Sequence, residues 1–310
     1  MKNVKLLLLV WVVALLAACG TTRTVPITGR KQNLMVSNEE IMSLSNKEYT
    51  QYMASAKKST NTANTAMVKR VGQRLATAVE DYLKANGLSS EVKEYSWEFN
   101  LVQDKSANAF CLPGGKIVVY EGLLPYTQNE AALAVVLGHE IAHAVAKHSA
   151  EQLSKQIKQQ YGTQILSGVL NAATGSNVGS YAAVLAQQGL KLRNLKYSRD
   201  HESEADHMGL IFAAMAGYDP QVAIPFWKRM SNGNSNQSDF LSDHPSDAKR
   251  IAALQQEMPE ALKYYQAATK TAQTVTAGKT TATKKATATK KTTAKSSRSA
   301  AAKKNSTRKK

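Results

Sequence analysis

Cysteine is nearly absent from this chain of 310 residues, which holds only Cys19 and Cys111. A disulfide framework is thereby excluded, and the fold must rest on a packed core or a metal. Acidic residues vanish from the C-terminal end, where Lys270 to Lys310 holds 13 Lys and Arg and no Asp or Glu. Those residues carry most of the formal charge of +17 and leave +4 for the rest, so the bulk of the chain is nearly balanced. The same stretch lacks aromatic residues and has no aliphatic larger than Val275. Residues 267–310 are therefore expected to be a disordered Lys/Thr/Ala-rich basic tail. Long apolar runs are also missing: beyond residue 18 no stretch gives eighteen consecutive apolar residues, so no spanning helix is expected there.

What is present starts with Lys2 and Lys5 ahead of an apolar run, Leu6 to Ala18, the pattern of an export signal. The run ends Leu16-Ala17-Ala18-Cys19-Gly20, which resembles the lipobox of bacterial lipoproteins. Residues 1–18 are expected to be a lipoprotein signal peptide and Cys19 the lipidated residue. Residues 19–32, with Pro26 and Gly29 as breakers, are expected to be an anchored linker. Cys111 is then left as a packed small side chain.

Residues 33–266 read as one mostly helical α+β domain. Ser37-Asn38-Glu39-Glu40 is a capping box opening a helix to about Ala56. A second helix spans Thr62 to Asn86, with Met67, Val68, Val71, Leu75, Val79 and Leu83 at helical period and Gly87 as its stop. Tyr95–Val102 and Lys116–Tyr120 alternate as strands and are expected to form a small antiparallel sheet, with Pro113-Gly114-Gly115 as the turn. Asn108, Ala109 and Phe110 precede that turn and are candidates for pairing with an extended substrate, because an edge strand offers unpaired backbone groups. Gly162 to Gly189, rich in Gly, Ala, Ser and Asn, reads as a mobile connection and a candidate flap.

Asn129 to Gln160 reads as one helix that carries His139-Glu140-Ile141-Ala142-His143, an H-E-x-x-H motif. Residues four apart share a helix face, so His139 and His143 can aim two imidazoles at one zinc ion. Glu140, one step round, is placed to act as general base on a water held there. His148 falls roughly 140° round the helix from His143 and reads as a surface or supporting histidine rather than a ligand. A third ligand is needed. Glu202 and Asp206 share a face of a helix running from Ser198 to Ala216: Glu202 would complete the triad and Asp206 would accept the free N–H of a ligand histidine. Glu204 lies about 200° from Glu202 and is less suited to the metal. All six histidines fall between His139 and His244, as expected of a chain that gathers them for one site.

Taken together, these pieces resemble the HtpX-like and CAAX-prenyl-protease-like gluzincin metallopeptidases, and most nearly their soluble bacterial envelope lipoprotein branch, the BepA- and LoiP-like proteins. The matching pieces are Val25 to Arg30, Asn108-Ala109-Phe110 with Pro113-Gly114-Gly115, the H-E-x-x-H motif, Ser198-Arg199 with Glu202-x-Glu204-Ala205-Asp206, and His244-Pro245 with Arg250-Ile251. The resemblance runs from about Val25 to Leu262. It implies one Zn2+ held by His139, His143 and Glu202, with Glu140 as base and proton shuttle. His244 matches the loop histidine that in some relatives occupies the open zinc position; its role here is either that or oxyanion stabilisation. The resemblance further implies an endopeptidase of the bacterial envelope that degrades misfolded or misassembled proteins, lipid-anchored through Cys19, on the outer membrane facing the periplasm. No counterpart of the helical-repeat domain of some relatives is expected in residues 268–310, whose composition cannot build a core.

The basic tail fits anionic envelope surfaces, and the export signal argues against nucleic acid as its partner. Two rival readings remain at this level: a non-catalytic, zinc-stabilised chaperone-like lipoprotein, and an envelope or cell-wall adhesin acting through the tail. An intact Glu140 speaks for catalysis, because holding zinc needs only the ligands.

Overall fold

The computed structural model describes residues 21–171, 186, 189–232, 244, 249–271 and 273, with side chains left out over 161–171. The chain divides into two compact units, Met1–Tyr265 and Gln266–Lys310. In the second unit the described residues 266–271 and 273 are helical, so the first residues of the tail expected to be disordered from 267 are in fact helical; the rest of the tail, the signal peptide and Cys19 lie outside the described residues.

The first described residues form a hairpin where a linker was expected. Strands β1 (Thr21–Thr24) and β2 (Lys31–Leu34) pair antiparallel, Thr21 opposite Leu34. The turn between them closes with Val25 N–H donating to Arg30 O at 2.8 Å and with Ile27 at φ 67°. Val25 is buried in the main core, which fixes this turn to the body of the unit.

Helices α1 (Asn38–Ser55) and α2 (Thr62–Ala85) fall where the sequence predicts them. Ser37 caps α1 by accepting from Glu40 N–H, and Gly87 takes φ 77° just past α2. In α2 Val68, Val71, Leu75, Val79 and Leu83 of the predicted stripe are fully buried, and Met67 is partly buried.

The sheet has three strands, not two: β3 (Glu98–Val102), β4 (Ala109–Leu112) and β5 (Lys116–Tyr120), in the order β3-β5-β4. The Pro113–Gly115 turn joins β4 to β5 as the antiparallel hairpin, Phe110 opposite Val118. Strand β3 runs parallel to β5, correcting the antiparallel pairing of these two expected from sequence. The extra strand supplies the reason, since two reversals of the chain restore the original direction. Ile117 and Val119 face the main core while Phe110, Leu112 and Val118 face a second cluster, so both faces of the sheet are covered.

Helix α3 (Glu130–Val145) carries the H-E-x-x-H motif and is buried on nearly every side, as its uniformly apolar first turns require. The single helix expected over Asn129–Gln160 is broken. Ala146 caps α3, Lys147 takes φ 55°, and α4 (His148–Asn171) starts in a new direction. The candidate flap falls partly within α4 and otherwise mostly outside the described residues.

Helix α5 (Arg199–Met215) packs against α3, with Ser198 as its cap. Their crossing is close because glycine meets glycine: a Cβ on Gly138 would stand 2.6 Å from Gly209 O, and one on Gly209 would stand 2.6 Å from His139 N. Only backbone fits between these helices, and this approach brings the acidic start of α5 to the histidines. Helix α6 (Ala223–Asn232) adds the fully buried Phe226 and Trp227. Residues 249–265 form a further helix. No helix among the described residues is long and apolar enough to cross a membrane.

Candidate metal centre

The predicted site residues converge. His139, His143, Glu202 and His244 bring ligand atoms within 4.8 Å of one another, and all four side chains are buried. His139 Nε2 and His143 Nε2 face each other at 3.1 Å. One carboxylate oxygen of Glu202 lies 3.4 Å from His139 Nε2, and the other lies 3.4 Å from His143 Nε2.

The donor set fits one zinc ion. Each imidazole uses its other nitrogen elsewhere: His139 Nδ1 lies 2.9 Å from Asp206 Oδ1, and His143 Nδ1 lies 2.8 Å from His148 Nδ1. Two Nε2 lone pairs in contact repel unless a cation lies between them. Ligand atoms about 2.0–2.1 Å from a tetrahedral zinc stand about 3.3–3.4 Å apart, close to the spacings seen. An uncompensated cluster of this kind would also be costly to bury.

His244 Nδ1 sits 3.2 Å from His139 Nε2 and 3.0 Å from Glu202, at a fourth corner of the cluster. Its Nε2 lies 3.5 Å from Glu140. The carboxyl of Glu140 is pushed up to about 7 by burial, with the charge of His244 opposing and that of Glu202 adding. A backbone hydrogen bond from Cys111, on β4, also reaches Glu140 and ties the metal helix to the strand edge. Cys111 itself is a buried free thiol pushed well up by burial, as suits a packed side chain.

Asn108, Ala109 and Phe110 line a small cleft of about 70 Å³ together with Glu140, Tyr197 and His244. The three residues expected to pair with substrate therefore border the predicted base. A larger apolar cavity of about 290 Å³ lies behind His143, lined by Val36, Ile41, Tyr95 and Ala144 among others. It contains none of Glu140, Glu202 or His244, so the chemistry belongs to the smaller cleft.

Sequence reasoning missed several supporting residues. Arg250 donates to Asp206 Oδ1 at 2.5 Å and to His244 O at 3.2 Å, and its guanidinium lies 3.6 Å over the ring of Trp227. It thus links a partner of His139 to the backbone of His244. Tyr197 stacks on His143 with centroids 4.1 Å apart and shares a hydrogen bond with Ser149. His148 is fully buried, which rules out the surface alternative. The break at Lys147 turns it back toward His143, and the helical angle assumed from sequence does not apply. Glu204, set aside as a ligand, is bonded to His148 at 2.9 Å. His201 and His207 pair instead with Glu151 and Glu257 and stand outside the metal cluster.

The sequence pattern of peptidase family M48 matches residues 63–258. The chain belongs to that family. The M48 chain is similar to the "Mitochondrial metalloendopeptidase OMA1" of Arabidopsis thaliana, at 40% identity over 64% of this chain and 38% of the relative. Its similarity to the human "Metalloendopeptidase OMA1, mitochondrial" is 31% over 77% of this chain and 46% of the relative. The "Beta-barrel assembly-enhancing protease" of Escherichia coli matches at 24% over 50% of this chain and 33% of the relative. The M48 chain thus spans half or less of the length of these relatives. The mitochondrial proteins match at higher identity than the bacterial one, a ranking not anticipated from the motifs.

Proposed function

We propose that this protein is a zinc-dependent endopeptidase that cleaves misfolded or misassembled proteins of the bacterial envelope. The observation that carries the catalytic part is the 3.1 Å approach of two imidazole Nε2 atoms beside the Glu202 carboxylate, with buried Glu140 next to them. His139, His143 and Glu202 would hold the zinc. Zinc bound there supplies a Lewis acid that activates water and polarises a peptide carbonyl. Glu140 would take the proton from the attacking water and deliver it to the leaving amine, a role its position beside the ligand histidines allows. Asp206 keeps His139 oriented, and Arg250 keeps Asp206 in place. An extended peptide would lie along β4, at Asn108, Ala109 and Phe110, with its scissile bond beside Glu140.

His244 would close the fourth position of the metal in the arrangement seen, so cleavage requires it to withdraw. In sequence His244 lies between α6 and the helix at 249, on which Arg250 holds the His244 carbonyl.

The envelope setting rests on the export signal, on the lipobox-like Leu16 to Gly20, and on the similarity to the E. coli protein named for β-barrel assembly. Lipidated Cys19 would be the anchor, on the outer membrane facing the periplasm, and the basic tail would meet anionic envelope surfaces. Digestion of an unfolded protein such as casein, with and without a chelator, tests the activity. Cleavage that stops with chelator and returns with zinc is expected; chelator-resistant cleavage or none would oppose it. Acylation of the wild-type chain but not of Cys19→Ala tests the anchor.

A further inference from the structure

The two metal-facing histidines are supported differently. His139 meets the Asp206 carboxylate directly, whereas His143 meets a second imidazole, His148, at 2.8 Å. His148 Nε2 in turn lies 2.9 Å from Glu204 Oε2. A carboxylate only accepts, so Nε2 of His148 carries the proton and its Nδ1 carries the lone pair. Nδ1 of His143 must then donate, which leaves the lone pair of His143 on Nε2, aimed at His139 and Glu202. The opposite tautomer would set a bare His148 nitrogen against a carboxylate and place a proton where the metal belongs. One proton pattern satisfies the chain of three groups.

Glu204 is itself fixed from the first described hairpin. Thr28 Oγ1 donates to its Oε1 at 2.5 Å, while Arg30 Nε donates to Oε2 at 2.9 Å and Arg30 Nη2 lies 2.7 Å from it. Arg30 also grips Glu151 on α4, at 2.8 and 3.1 Å. Thr28 and Arg30 sit in the tight β1–β2 turn whose neighbour Val25 is buried in the core.

We infer that the β1–β2 turn sets the zinc affinity of the site: Thr28 and Arg30 position Glu204, Glu204 positions His148, and His148 orients His143. These are positioning residues, Thr28 and Arg30 standing 115 and 113 positions before His143 in sequence, and the inference rests on the zinc reading above. It also implies that a force or partner that unseats the hairpin loosens the metal, with no change at the ligands themselves.

The test is the zinc dissociation constant of the full chain, measured by competition with a fluorescent chelator, alongside the melting temperature of the zinc-free form. Glu204→Gln keeps the shape and removes the charge, and a loss of about 10–100-fold in zinc affinity is expected. Thr28→Val, which removes one hydroxyl and little volume, and Arg30→Gln, whose side chain is partly exposed, should each cost several-fold. Lys155→Ala, which contacts Glu151 but stands outside the relay, should leave zinc affinity unchanged. Wild-type affinity in both Glu204→Gln and Thr28→Val overturns the inference while leaving the zinc reading intact. Affinity losses that merely track the melting temperature of the zinc-free variants overturn it too. A wild-type chain that binds no zinc overturns the zinc reading itself.

Discussion

Gly138 and Gly209 meet backbone to backbone where the metal helix α3 crosses α5, and a Cβ on either would stand 2.6 Å from an atom of the other helix. The contact sits one residue from His139 and sets how near Glu202 and Asp206 approach it. Gly209→Ala should therefore force the helices apart at a cost of about 1–3 kcal/mol, the usual range for overpacking a tight core. Zinc affinity should fall with it. Urea unfolding of the zinc-free protein and chelator competition would report the two effects, and an unchanged zinc affinity would separate the crossing from the site.

Arg250 acts through geometry as well as charge, because it bridges Asp206 and the His244 carbonyl while lying over the ring of Trp227. A lysine cannot do all three. Arg250→Lys should lower zinc affinity and peptidase activity together by about 10–100-fold, and a fully active Arg250→Lys would show that the bridge is dispensable.

His244 occupies a fourth corner of the cluster, 3.0 Å from Glu202. His244→Ala should raise cleavage of an unfolded protein at saturating zinc and weaken zinc binding, because a closing ligand is gone. A fall in turnover at unchanged zinc content would instead assign it to the oxyanion.

Acid stability should depend on Glu151. Burial would raise its carboxyl, but hydrogen bonds from His201, Arg30 and Lys155 outweigh that and hold it well below its ordinary value of 4.5. A carboxyl lowered on folding contributes stability that is full above its unfolded pKa and drains away as pH falls toward the folded one. The urea midpoint should thus drop below about pH 4.5, and Glu151→Gln should lower the midpoint near neutrality while flattening that acid limb. Parallel curves for the two proteins would contradict the assignment.

Much of the site was legible because it is periodic. H-E-x-x-H and E-x-x-x-D each place two side chains on one helix face, so His139, His143, Glu202 and Asp206 could be read from spacing, and α1 and α2 from their caps and stripes. What spacing could not show is where a helix stops being a helix. Lys147 gives no sequence signal of its left-handed turn, yet that turn brings His148 to His143. Strand β4 was hidden because Ala109 to Leu112 is buried throughout and shows no alternation. The Thr28, Arg30 and Arg250 contacts join residues far apart in sequence, and single-chain patterns carry no such information.

The central claim is tested most directly by purified Glu140→Gln assayed for both zinc content and cleavage of an unfolded protein. Zinc should remain at one ion per chain, because Glu140 is not among the ligands, while cleavage should fall by about 10²–10⁴-fold, the usual worth of a general acid–base. Wild-type cleavage by a zinc-loaded Glu140→Gln would contradict the account.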